Sequence, residues 1–288
     1  MSKVLDNLIK LLALEPIEEN LFRGPSQDLG WGRVYGGQVL GQALSAALHT
    51  VPDDRSVHSM HAYFLLPGDV NRPVVYDVDR IRDGSSFTTR RVVAIQSGKA
   101  ILNMSASFHK PEEGFSHQAP MPDAPPPEDL LADQDRYAAF VDRLPPFLRE
   151  RATAPGPFEV REVDPLDDPF APAPREARRM YWFRTVKPLS DDLNVHRCLL
   201  AYASDNNFLI TALQPHGKTW LSPGIRMASL DHVMWFHEPF RIDDWLLYVI
   251  DSPRASGARG LVRGSVYDRS GRLVASTAQE GVLRYRKP

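Results

Sequence analysis

The stretch HAYFLLPGD, residues 61–69, returns about 172 residues later as VMWFHEPF, residues 233–240. Phe64 and Pro67 of the first stretch reappear as Phe236 and Pro239 of the second. The correspondence continues outward, with Tyr76 and Asp79 of VVYDVD recurring as Tyr248 and Asp251 of LLYVID, and Ser97-Gly98-Lys99 as Ser270-Gly271-Arg272. Self-similarity at a fixed spacing means one structural unit encoded twice.

Each copy repeats the same order of elements. In the first, a strand in NLFRGP precedes a helix opened by Gly36-Gly37, and strands follow near 57–67, 73–81, 86–96 and 100–109. In the second, a strand in RMYWFRTV precedes a helix near 193–213, and strands follow near 226–238, 244–251, 259–268 and 272–285. Strand, long helix and antiparallel meander make an α+β unit in which one sheet wraps one helix. The predicted organisation is therefore an N-terminal domain over residues 1–112, a crossover over 113–176 and a C-terminal domain over 177–288. Pro111, Pro120, Pro122, Pro125, Pro126 and Pro127 keep the start of the crossover out of ladder and helix alike. A helix is expected near 128–150, ended by Pro145-Pro146, with the crossover running over the outside of the paired domains.

A chain of 288 residues with 43% hydrophobic and 24% charged residues has enough apolar sequence for two ordinary cores. Its 34 basic and 36 acidic residues are interspersed, which leaves no basic stripe for nucleic acid. The single cysteine, Cys198, can form no internal disulfide, so a reducing, cytoplasmic setting is expected. Residues 1–16 are interrupted by Asp6, Asn7 and Lys10 and read as a short amphipathic helix, not a signal sequence. No run approaches the ~20 apolar residues of a membrane helix. The C-terminal Arg-Lys-Pro carries no peroxisomal address.

From Cys198 to Leu213 the sequence CLLAYASDNNFLITAL is apolar on almost every face, as an enclosed helix would be, yet it contains Asp205. Burying an ionised carboxylate costs several kcal/mol unless it is paired or hydrogen-bonded, so Asp205 implies either a structural partner or a use. Ser229 in MASLDHVMWF and Gln279 in LVASTAQEGVLRY lie on strands expected to face that helix. Taken singly, each is ordinary strand polarity. The repeat adds weight, because Ser229 matches Val57 and Gln279 matches Ala106, and superposed helices match Asp205 to Ala46. The three polar groups belong to one copy.

The segments LGWGRVYGGQVLGQAL, VHSMHAYFLLPGD, YASDNNFL, LDHVMWFHEPF, WLLY, ARGLVRG and LVASTAQEGVLR occur in this order within residues 21–285. They resemble the type II acyl-CoA thioesterase family. The resemblance implies two tandem hotdog domains and hydrolysis of fatty acyl-CoA to free fatty acid and coenzyme A, with no cofactor and no metal. In that family an Asp on the second hotdog helix, a Thr or Ser hydroxyl and a Gln hold the attacking water, roles that fall by resemblance on Asp205, Ser229 and Gln279. Many members carry Thr where this chain has Ser229, which keeps the hydroxyl but drops the rotamer restriction of a β-branched side chain. A similar role with looser positioning is expected.

Thioester hydrolysis needs a positioned water, a base and donors for the developing oxyanion. Gly36, Gly37 and Gln38 open a helix and are the candidate oxyanion or substrate-binding donors, close helix-to-sheet packing being an equally good reason for the two glycines. No G-x-S-x-G elbow suggests a covalent route. Cys198 lies in an apolar setting that suits a core residue better than a nucleophile. His58 and His61 point to opposite faces of their strand, as do His232 and His237, so neither pair suggests a metal site. Gly30, Gly32 and Gly36 miss the dinucleotide-binding spacing. Arg82, Arg90, Arg91, Arg259 and Arg263 are open either to coenzyme A phosphates or to solvent. One competing reading is a hotdog enoyl-CoA hydratase, whose Asp-x-Asn-x-x-His pattern is broken here by Ile210. The other is a non-catalytic acyl-CoA binding protein, which would not need the three polar groups. Acyl-CoA is the expected substrate, one site per chain is expected, and exposed sheet edges suggest a homodimer or higher homo-oligomer.

Overall fold

The computed structural model describes residues 3–146, 149 and 154–286. Its first half runs α1 (Lys3–Leu12), β1 (Glu15–Glu18), β2 (Leu21–Gly24), α2 (Gly36–Leu48), β3 (Ser56–Phe64), β4 (Val74–Asp83), β5 (Phe87–Gln96) and β6 (Lys99–His109). The crossover contributes α3 (Asp133–Ala138) and β7 (Phe158–Glu162). The second half runs β8 (Arg178–Thr185), α4 (Leu193–Ser204), β9 (Ile225–Ser229), β10 (Asp231–Phe236), β11 (Leu246–Ser256), β12 (Arg259–Asp268) and β13 (Leu273–Tyr285).

Among the described residues the thirteen strands form one continuous sheet in the order β1-β2-β4-β5-β6-β3-β10-β13-β12-β11-β8-β7, with β9 also paired to β13. The halves join where β3 meets β10, antiparallel, with His61 opposite Val233. Those two residues are separated by the repeat spacing itself, so the approximate two-fold relating the halves passes through this pair. The duplication extends to ladder irregularities. Val75 opposite Ile95 in the first half is matched by Leu247 opposite Tyr267 in the second, and a bulge follows Asp79 in one half and Asp251 in the other. An Arg91–Asp79 ion pair at 2.9 Å likewise returns as Arg263–Asp251 at 2.6 Å.

The sheet wraps two helices that it keeps from water. Every residue of α2 from Gly37 to Ala47 is buried, as a helix apolar all round requires, and α4 is buried from His196 to Ser204. The helices run antiparallel with their backbones in contact. A Cβ on Gly37 would lie 2.2 Å from the Tyr202 carbonyl oxygen, and one on Gly41 would lie 3.0 Å from that of Cys198. Both glycines are therefore required by close approach.

Several elements differ from expectation. The helix near 193–213 ends at Ser204 because Asn207 adopts a left-handed φ of 54°, and the chain resumes as a 3-10 helix over Leu209–His216. The helix expected near 128–150 shrinks to α3 between 3-10 turns at Pro127–Asp129 and Val141–Arg143, and its far end lies partly outside the described residues. No residue of α3 is fully buried, its inward face being the half-buried and mostly polar Asp133, Arg136 and Tyr137, and so little apolar burial gives the helix little to extend it. Phe158–Glu162, read as crossover, forms β7 and pairs with β8. The outermost strands are β1, four residues containing Pro16, and the five-residue β7, and the five-residue β9 pairs only with β13. Short edges and a proline discourage edge pairing, which weakens the edge-based reason for oligomerisation. No helix among the described residues is long and apolar enough to cross a membrane.

Candidate active site

The C-terminal end of α4 meets the N-terminal end of α2, and Asp205 caps α4 at that junction. The Gly37 amide donates to its carboxylate. A Cβ on Gly36 would lie 2.7 Å from Asp205 Oδ2 and 3.0 Å from the Phe64 ring, so only glycine leaves this approach open. The positive end of the α2 dipole favours the anion, whereas the negative end of its own helix opposes it.

Two strands bring the other polar groups to Asp205. Ser229 closes β9 opposite Gly281 of β13, and Gln279 stands two residues along β13 on the same face. Ser229 Oγ donates to Asp205 Oδ1 at 3.3 Å, and Gln279 Nε2 donates to Ser229 Oγ at 2.8 Å. Gln279 also hydrogen-bonds Asp205. The structure thus gathers Asp205, Ser229 and Gln279 into one network.

Burial pushes the Asp205 carboxyl up to about 6, although hydrogen bonds from Gln279, Ser229 and Gly37 pull the other way. The low-dielectric surroundings are aromatic. Tyr35 bonds the Tyr202 carbonyl at 2.9 Å, and Tyr248 bonds Thr277 Oγ1 at 2.7 Å and the Ser204 carbonyl at 3.3 Å. Burial holds the Tyr35 and Tyr248 phenols well above their usual range, and the charge of Asp205 adds to the effect.

Gln38 does not join the site. Its amide bonds the Tyr35 carbonyl at 3.1 Å. Its side chain donates to the Pro25 carbonyl at 3.0 Å and accepts from the Gln27 amide at 3.2 Å. Of the three expected donors, Gly36 and Gly37 face Asp205, while Gln38 secures the loop before α2.

One residue at the site was passed over. His232 is completely buried, with Nδ1 2.6 Å from Gln279 Oε1 and Nε2 2.9 Å from Ser204 Oγ. In the sequence it stands out only beside His237, as half of an unconvincing metal pair. The available signal was strand alternation, which turns His232 inward with Met234 and Phe236.

The first copy lacks this network. Ala106 stands opposite Arg90 as Gln279 stands opposite Val262, and Val57 opposite Phe108 as Ser229 opposite Gly281, so the strand correspondences hold. The helices align differently, because matching the C-caps puts His49, not Ala46, at the position of Asp205. His49 Nδ1 is engaged by the Ser45 carbonyl at 2.7 Å. Buried Arg90 occupies the same region, its Nε donating to Thr50 Oγ1 at 2.9 Å and its Nη2 to Asp83 at 2.6 Å. The other buried amide of α2 is committed to structure as well. Gln42 donates to the Leu11 carbonyl at 2.6 Å and accepts from Tyr76 Oη at 2.6 Å. Arg91, Arg259 and Arg263, weighed for coenzyme A phosphates, pair with Asp79, Glu280 and Asp251.

Two buried helices, each wrapped by antiparallel strands and joined through one sheet, define a double-hotdog protein. The chain belongs to the acyl-CoA thioesterase family. The model for an acyl-CoA thioesterase N-terminal domain matches residues 25–109, and that for acyl-CoA thioesterase matches residues 156–282. Acyl-CoA thioesterase 2 of Haemophilus influenzae is 45% identical over 285 residues, covering 99% of each chain. The crystal structure of an acyl-CoA thioesterase II from Mycobacterium marinum superposes with a TM-score of 0.80 at 40% identity, covering 97% of this chain and 99% of that one. A hot-dog-fold protein of unknown function from Alicyclobacillus acidocaldarius matches with a TM-score of 0.77 at 21% identity, covering 98% of this chain and 99% of that one, a likeness of fold.

Proposed function

We propose that this protein hydrolyses fatty acyl-CoA thioesters through a water activated by Asp205 and held by Ser229 and Gln279. The observation that carries the reading is the carboxyl at about 6, bonded by Ser229 and Gln279. Such a group is ionised at neutral pH and still basic enough to take a proton in the transition state. Water oxygen adds to the thioester carbonyl carbon while its proton passes to Asp205. The C–S bond then breaks, the electron pair leaves on sulfur, and Asp205 returns the proton to the thiolate. One water is consumed, and a carboxylic acid and coenzyme A are released.

The developing oxyanion is assigned to the first amides of α2. Gly37 N–H already serves Asp205, so the oxyanion falls chiefly to Gly36 N–H. In this reading the C-terminal hotdog, residues 177–288, supplies base, hydroxyl and amide, and the N-terminal hotdog, residues 1–112, supplies the helix start. Buried, unpaired Cys198 supports a cytoplasmic setting. The exposed His61 and Trp235 rings, 5.5 Å apart on the outer face where the halves join, support a homo-oligomer with a second copy of the chain.

Thiol release from a panel of short to long acyl-CoAs tests the activity. Hydrolysis is expected for the wild type and a loss of about 10²-fold or more for Asp205→Asn, the usual range for a general base. An Asn variant with near wild-type turnover would remove Asp205 from the mechanism.

A further inference from the structure

We infer that His232 is a positioning residue that holds the Gln279 amide with its nitrogen toward Ser229 and Asp205, an inference that rests on the thioesterase reading above. A glutamine amide has nearly the same shape in both orientations, but its ends are chemical opposites. An ionised carboxylate only accepts hydrogen bonds, so with the amide reversed Gln279 would turn an oxygen toward Asp205. Gln279 is 1% exposed, which leaves its orientation to protein groups.

The His232 ring is the group at the other end of the amide. Its Nδ1 lies 2.6 Å from Gln279 Oε1, and donation along that line selects the tautomer with a bare Nε2. That nitrogen lies 2.9 Å from Ser204 Oγ, which can donate to it. The bonds run from Ser204 through His232, Gln279 and Ser229 to Asp205, beginning and ending on adjacent residues of the chain. The opposite tautomer would donate from Nε2 to Ser204, whose hydroxyl also reaches the Ala201 carbonyl at 3.0 Å, and would need the Gln279 nitrogen at Nδ1. Tautomer and amide orientation are thus a single choice, and the charge on Asp205 decides it. Burial pulls the His232 ring down to about 4, which keeps it neutral at working pH. The Phe208 ring, 5.9 Å away, covers it.

Two substitutions separate this role from simple packing. His232→Phe keeps a ring and removes both nitrogens, while His232→Asn retains a donor near the Nδ1 position. The Phe variant is expected to lower kcat about 10-fold or more at unchanged KM, in keeping with the loss of an oriented donor, and Asn to restore much of it. The acid limb of the kcat profile should move to higher pH in His232→Phe, because Asp205 loses a hydrogen bond that lowers its pKa. The other titratable groups that feel the charge of Asp205 are Tyr35 before α2 and Tyr248 on β11, phenols held well above their usual range and so neutral through that limb.

In a Gln279→Ala background, His232→Phe should lower kcat no further, since a residue acting only through Gln279 has nothing left to orient. Should the Phe variant not fold, His232→Gln, whose amide reaches toward Ser204 and leaves Gln279 Oε1 without its donor, carries the same expectation. Wild-type kcat in His232→Phe or His232→Gln, or an undiminished loss in the Gln279→Ala background, would overturn the inference. Asp205→Asn measured alongside keeps the two readings apart: if it stays active the thioesterase mechanism fails, and if it is inactive while the His232 variants turn over normally only the role of His232 fails.

Discussion

Asp205 occupies a position that favours its protonated form. Its folded value of about 6 lies above the usual carboxylate range, so ionising it at neutral pH works against the fold. The stability associated with this group is complete below its unfolded value and is lost as pH rises through about 6. Asp205→Asn should therefore stabilise the protein at pH 7.5 by up to about 3 kcal/mol, from ~1.4 kcal/mol per pKa unit, while hydrolysis collapses. Denaturant unfolding of both proteins at pH 7.5 and pH 5 checks this, with a smaller gain expected at pH 5. A loss of stability in the Asn variant would make Asp205 a structural tie. Catalysis follows the same ionisation and should fall along a one-proton limb below about pH 6. At this scale Asp205, Ser229 and Gln279 were legible because their polarity distinguishes one copy from the other. His232 was not, because its partners, Ser204 and Gln279, come from a helix and another strand. Gln38 misled because a helix-start amide is free only if no upstream carbonyl takes it, and that of Tyr35 does.

At the scale of elements, the site depends on two helices meeting through glycine. Gly37→Ala would drive a Cβ to 2.2 Å from the backbone oxygen of Tyr202, which cannot rotate away, whereas Gly41→Ala meets that of Cys198 at 3.0 Å. The Gly37 variant should lose about 1–3 kcal/mol, the range for overpacking, together with activity, as its amide moves off Asp205. The Gly41 variant should lose less of both. Thermal unfolding with kcat on the same samples tests the order, and an equally stable, equally active Gly37→Ala would mean the helix contact does not set the site. Most strands and the β4-β5-β6 and β11-β12-β13 meanders were readable from alternation and from the repeat, whereas the pairing of β3 with β6 and β10, and the division of 226–238 into β9 and β10, were not. The end of α4 was not, since apolar sequence continues through Phe208–Leu213 and the break comes from the backbone conformation of Asn207.

The whole molecule is one unit used twice, with its chemistry kept in the second use. The repeated Phe-Pro, Tyr-Asp and Ser-Gly positions made the two halves recognisable, whereas β7, although it mirrors β1 at the opposite edge of the sheet, carries none of those repeats, and the short turns of the crossover have no second copy against which to be read. In the first half Arg90, Thr50 and Asp83 fill a region whose counterpart carries the polar network, and Val57 and Ala106 stand at the positions of Ser229 and Gln279. We therefore expect a single reaction site per chain, built on the C-terminal copy and completed by the start of α2. Calorimetric titration of the Asp205→Asn protein with a non-hydrolysable acyl-CoA analogue tests it most directly. One equivalent bound per chain is the expected result, and two equivalents per chain would contradict it.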